Sequence, residues 1–157
     1  MGVRHCEEIG VNLQKIMTRL FKNENLLKLL YYTDKDPYSH NDIDLTDANF
    51  IQGEIYEKLI KIIPRVGPKE TAHSIIVLKV AGGSVDNTNS EFRNIRIDIE
   101  TFVPLTQWII KDDNLRPFAI MGEIQNSLNG KIINGLGKMQ GGDFALNFLT
   151  EEISAYT

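Results

Sequence analysis

Two carboxylates two residues apart are the nearest this chain of 157 residues comes to an acid–base pair. Asp98 and Glu100 alternate with Ile95, Ile97 and Ile99, so strand geometry puts both carboxyls on one face. Such a pair can serve as general acid and general base. The same spacing describes the wet side of a half-buried strand, with Arg96 as a neutralising neighbour, and that is the simpler reading. The histidines, His5, His40 and His73, fall in three different elements without metal-ligand spacing. A lone cysteine, Cys6, cannot make an internal disulfide and reads as a small apolar residue near the first helix. Gly130 and Gly135 have the spacing of a phosphate loop, but Leu136 stands where the lysine of Gly-Lys-Ser/Thr should be, so they read as turn glycines. The sequence contains no HExxH, CxxC, GxSxG or dinucleotide fingerprint. It therefore predicts no catalytic residue, no cofactor and no metal. A hydrolase working through Asp98, Glu100 and a histidine is the enzymatic alternative.

With chemistry unsupported, binding becomes the question. The formal net charge is -4 and the pI about 5.4. That argues against a surface built to grip phosphate backbone, which needs clustered Lys and Arg. Lys15, Arg19 and Lys22 are the nearest approach, and Glu7, Glu8 and Glu24 flank them. No sequence-specific nucleic acid is expected, although an acidic wall would let DNA pass without sticking. No apolar run approaches the length of a membrane span, and charges at Arg4, Glu7, Glu8, Lys15 and Arg19 exclude a signal peptide in the first 20 residues.

The elements that would present a binding surface follow from periodicity. Ile9, Leu13, Ile16 and Leu20 mark one face of a first helix. Asn23 or Asn25 can cap a second, short helix whose four leucines, at 26, 27, 29 and 30, must be wrapped by the chain's own fold or partly covered by a neighbour. Ile51, Ile55, Leu59 and Ile62 predict a third helix, capped by Asp47 or Asn49 and stopped by Pro64, with Glu54–Lys58 and Glu57–Lys61 as surface pairs. Ser74 to Val80 reads as a strand buried on both faces or packed against the helices, and residues 95–103 as the half-buried strand, ended by Pro104. Pro117 opens a last helix with Ile120, Ile124 and Leu128 on its apolar face and Asn129-Gly130 at its end. Phe144, Leu146 and Phe148 predict a strand with its aromatics inward. Ile153 to Thr157 begins another, and its lack of a stop signal predicts a protein slightly longer than this chain. The expectation is a single α+β domain over 1–157, a mostly antiparallel sheet flanked by three to four α-helices.

Two polar stretches interrupt this pattern, at 31–48 and 82–91. Loops of that length are often functional. The first holds five aspartates, at 34, 36, 42, 44 and 47, but lacks the Gly and terminal Glu of a calcium loop. Tyr31, Tyr32 and Tyr38 flank the acids, and tyrosines so placed can anchor a partner or equally pack the loop down on its own domain. The candidate contact residues are Tyr31, Tyr32, Asp36 and Tyr38 in the first stretch and Asp86 and Asn89 in the second. Trp108, in a brief apolar piece before the last helix, completes the set.

The segments LLKLLYYTDKDPYS (26–39), FRNIRIDIETFVPLTQWIIKDDNLRPFAIMGEIQNSLNGK (92–131) and INGLGKMQ (133–140) resemble small virion proteins of tailed phages of Gram-positive hosts. The resemblance is to the neck and tail-terminator group of head–tail joining proteins and covers about half of the chain in patches. It implies an α+β domain that self-associates in a ring, commonly a hexamer, against neighbouring connector or tail-tube proteins. It also implies a place in the virion, assembled in host cytoplasm, with DNA passing through the ring and no chemistry of its own. The strand 94–103 and the helix 117–129 would then be scaffold, and the two polar stretches contact arms. A monomeric adaptor that docks on a connector is the alternative within binding proteins.

Overall fold

The structure is a computed structural model that describes residues 8–62, 73–85, 93–148 and 153–156. Helix α1 spans Glu8–Phe21 and α2 spans Glu24–Tyr31. Helix α3 begins as an α-helical turn, Ala48–Phe50, and continues as a π-helix over Ile51–Leu59, while α4 covers Arg116–Leu128. The strands are β1 (Ile60–Lys61), β2 (Ile75–Val85), β3 (Arg93–Pro104), β4 (Ile132–Ile133), β5 (Gly137–Lys138), β6 (Leu146–Phe148) and β7 (Ile153–Tyr156). Five of them form one sheet in the order β1-β2-β3-β7-β6, and β4 and β5 make a separate hairpin. Among the described residues every strand pairing is antiparallel except β1 with β2. The α+β class and the mostly antiparallel sheet are as the sequence predicts.

The core sits between the helices and one face of the sheet. Leu13, Ile16 and Leu20 of α1, all four leucines of α2, Ile55 and Leu59 of α3 and Ile120 of α4 pack with Ile76, Leu78 and Val103. The alternate residues Ile75, Val77 and Phe102 form a smaller cluster on the opposite face, so the apolar run of β2 is indeed buried on both sides. In β3, Ile97 and Ile99 lean on the helical core. Asp98 and Glu100 face away with Lys79, whose ammonium bonds Glu100, while Arg96 reaches Asp98 at 3.4 Å. The α2 leucines are completely wrapped, and burying each contributes about 1.5–3 kcal/mol relative to exposure.

Three expectations need correction. The third helix does not run to Pro64. It ends at Leu59, because Ile60 and Lys61 pair in parallel with Ile76 and Val77 of β2. Glu54–Lys58 forms an ion pair of 2.6 Å, and Lys61 stands beyond the helix, on β1. Residues 82–85 are not loop: Gly82, Gly83, Ser84 and Val85 pair with Arg96, Ile95, Asn94 and Arg93 after a bulge between Val80 and Gly82. Phe144 is not an inward strand residue. It is 62% exposed, because pairing with β7 begins only at Leu146.

Candidate functional site

The first polar stretch is held against the segment between β3 and α4, and one side chain does most of the holding. Arg116, the first residue of α4, has no exposed surface. Its Nε donates to the carbonyl of Gln107 at 2.8 Å, and its Nη1 donates to those of Leu29 at 2.6 Å and Tyr32 at 2.7 Å. Nη2 donates to the carbonyl of Asp34. The planar guanidinium thus serves four backbone acceptors, with no carboxylate bonded to it among the described residues. Two of these, Leu29 and Tyr32, lie at the C-terminal end of α2, where carbonyls lack helical partners and the helix dipole favours a cation. Burial pushes the Arg116 guanidinium below its ordinary value, opposed by the charges of Asp34 and Tyr38. An arginine remains protonated through any such shift.

A second clasp lies alongside. The amide of Lys111 donates to the carbonyl of Lys35 at 2.6 Å, and its ammonium bonds Asp36 at 2.9 Å. That partner raises the Lys111 ammonium above its ordinary value. Asp112 and Asp113 follow with φ of 63° and 56°, a left-handed turn that lets the chain double back. Pro37 is buried and starts a short 3-10 turn, Pro37–Ser39. Together these fix residues 32–39, so the polar stretch is anchored over its first half.

Beyond the clasp lies an aromatic cluster. Tyr31 and Tyr32 meet edge to face with centroids 5.2 Å apart, and Phe50 of α3 meets Tyr31 at 5.8 Å. His40 stacks on Tyr32 at 4.0 Å and bonds Asp34 at 2.6 Å, while His73 stacks on Tyr31 at 6.0 Å and bonds its carbonyl at 3.1 Å. Tyr32 Oη donates to the carbonyl of Asn41 at 3.2 Å, closing the turn. The Asp34 carboxyl, though partly desolvated, is held below its ordinary value by the Asp36 amide and by His40. Lys28 holds Asp42 low, and the Thr46 hydroxyl and amide hold Asp44 low. A cleft opens here, walled by Tyr31, Tyr32, Ile43 and Phe50 and rimmed by Asp42, Asp44 and Asp47. A second cleft lies across the clasp, between Pro37–Tyr38 and Ile110–Asn114.

The sequence-predicted residues distribute as follows. Tyr31 and Tyr32 share the first cleft. Asp36 and Tyr38 share the second, and burial together with Glu123 pushes the Tyr38 hydroxyl up. Trp108 packs against the core and lines neither cleft, and its carbonyl accepts from the Arg116 amide at 2.8 Å. Asp86 and Asn89 lie outside the described residues, as does His5. His40 and His73 flank the tyrosine pair, whereas Asp98 and Glu100 are tied to Arg96 and Lys79 on the sheet, so these groups do not meet. Among the described residues no group of His, Cys, Asp and Glu could hold a metal ion. No helix among them is long and apolar enough to cross a membrane.

Sequence reasoning missed Arg116, Lys111, Phe50 and Ile43. The usable signal for Arg116 is its place just before Pro117, at the N-terminal end of a helix where a cation opposes the dipole and so needs another reason to be there.

A family model described as YomW matches residues 23–152, a span that runs from the cap of α2 past β6 and contains both clefts. No curated protein and no solved structure matches the chain.

Proposed function

We propose, from the premise that this chain belongs to the YomW family, that it is a structural virion protein which acts by docking and not by catalysis. Membership of that phage-associated family supports a phage-derived protein. The finer reading is a subunit of an oligomeric ring at the head–tail junction or tail end, where it terminates or joins the tail against connector or tail-tube proteins. The observation that carries it is the ordered surface at residues 31–50. Arg116 and Lys111 hold its start through Tyr32, Asp34, Lys35 and Asp36, and the aromatic cleft opens beside them. A surface ordered before binding loses less entropy when a partner arrives, which suits repeated assembly contacts. The charged groups that could have served acid–base chemistry are instead spent on local ion pairs.

Two measurements test this reading. Mass spectrometry of purified particles, induced from a host carrying the gene, should find the chain at a few to a dozen copies per virion. Deleting the gene should leave heads and tails unjoined, or tails of irregular length, under negative-stain microscopy. Normal particles from the deletion strain would overturn the structural role. Particles that lack the chain but need it for assembly would favour a transient adaptor instead.

A further inference from the structure

The hairpin β4–β5 shows an arrangement that the fold itself does not use. Ile132 and Ile133 are consecutive, so they point to opposite sides. Ile133 is buried in the core, whereas Ile132 is 77% exposed, the most exposed large hydrophobic side chain among the described residues. Its cross-strand partner is Lys138, so the two side chains share the outward face. Lys131 precedes it and is also exposed. Neither lysine has a carboxylate partner among the described residues, and residues 124–142 contain no Asp or Glu. The hairpin is firmly placed. Lys15 Nζ donates to the carbonyl of Asn134 at 3.0 Å, and Gly135, at φ +86°, passes so close to Lys15 and Asn12 that a Cβ there would lie 2.8 Å from the ammonium. The result is a fixed apolar knob between two unpaired cations.

The cleft at residues 31–50 has the opposite character. Its walls are aromatic and aliphatic, and its rim carries Asp44 and Asp47, neither of which has a cationic partner among the described residues. Residues 42–50 contain three aspartates and no Lys or Arg. We propose that the β4–β5 hairpin of one copy seats Ile132 in the cleft of a second copy, between Tyr32 and Phe50, with Lys131 and Lys138 over Asp44 and Asp47. The contact joins two different patches, so it is heterologous, and repetition closes a ring if the rotation per copy allows it. It rests on the ring reading above and gives that reading its residues.

Charge exchange tests the contact on the full chain. By sedimentation velocity, the wild type should associate with rising concentration. Ile132→Asp should raise the half-assembly concentration by about tenfold or more, because it places a carboxylate against the acidic rim. Lys138→Glu and Asp44→Lys should each weaken association alone. An equimolar mixture of these two variants should recover it, since every knob then meets a cleft of opposite sign. Ile132→Ser, with thermal melts of all variants, separates loss of contact from loss of fold. Wild-type association by Ile132→Asp, or a mixture no stronger than its components, would overturn the contact and leave the ring open to another surface. A wild type that stays monomeric up to about 100 µM would also overturn it, while the particle measurements still decide the virion role.

Discussion

Arg116 Nη1 donates to the carbonyl oxygen of Leu29 at 2.6 Å, so the first residue of α4 caps the last turn of a helix 87 residues earlier in the chain. At the other end of α2, Asn23 Oδ1 accepts from the Leu26 amide at 3.0 Å. Its Nδ2 reaches the Glu123 carboxylate at 2.9 Å and Ser127 Oγ at 2.8 Å, in the second half of α4. Both ends of α2 are thus finished by α4, which fixes the two helices antiparallel and sets where the 31–50 surface begins.

Replacing Arg116 is expected to be the most damaging single change outside the leucine core. Arg116→Met keeps much of the volume but leaves the carbonyls of Leu29, Tyr32, Asp34 and Gln107 without their donor. Orphaning buried acceptors costs about 1–3 kcal/mol each, and water can reach some of these, so a loss of about 3 kcal/mol or more is expected. Arg116→Lys should recover only part, because an ammonium cannot span a planar fan of carbonyls. Urea unfolding midpoints measure both. A neutral Arg116→Met would show that the four bonds do not set stability.

Asn23 allows its two roles to be separated. Asn23→Ser retains a cap oxygen for the Leu26 amide but loses the reach to Glu123 and Ser127, whereas Asn23→Ala loses both. The Ala variant should lose about 1–2 kcal/mol, with Ser falling between it and wild type. Equal losses for Ser and Ala would assign the whole effect to the tie with α4.

Much of this frame is legible in the sequence because it is local. The leucines of α2, the Asn23 cap and the Ile–charge alternation of β3 depend on neighbours within a few residues. What is not legible depends on partners far away. Ile62 extends the same apolar spacing that marks α3, and only the pairing of Ile60 with Ile76 turns the chain into a strand there. Gly82, Gly83 and Ser84 have turn composition, yet the ladder to β3 holds them extended. Tyr31 and Tyr32 announce a surface cluster by type and position. The residue that orders it, Arg116, offers in sequence only its place before Pro117, since its acceptors are backbone atoms that carry no side-chain signature.

Asp112 should tolerate glycine and resist branching. Its φ of 63° lies in the left-handed region, which costs a non-glycine residue about 1–2 kcal/mol, least for Asp and Asn. Asp112→Gly should therefore leave the melting temperature unchanged or slightly higher, and Asp112→Val should lower it. If valine proved harmless, the turn before Asn114 would have to adopt another conformation in solution.

The 31–48 segment should loosen in acid before the core does. The carboxyls of Asp34, Asp42 and Asp44 all lie below the ordinary value of 3.8 in the folded chain. Asp34 is lowered despite partial desolvation, by the Asp36 amide and then His40, Asp42 by Lys28, and Asp44 by the Thr46 hydroxyl and amide. A folded value below the unfolded one means that the ionised form favours the fold. The contribution is complete above 3.8 and fades as pH drops through the lower folded values. All three groups are largely solvated, so each adds little to global stability, and the response should be local. Carbon-13 shifts of the side-chain carboxyls, followed by NMR through acid titration, should give midpoints below 3.8 for all three. Lys28→Gln should return Asp42 alone toward its ordinary value, and Thr46→Val should move Asp44 part of the way, since the amide bond remains. Midpoints at or above 3.8 would mean that these bonds do not persist in solution and that the segment is held by its other contacts, Arg116 and Lys111 among them.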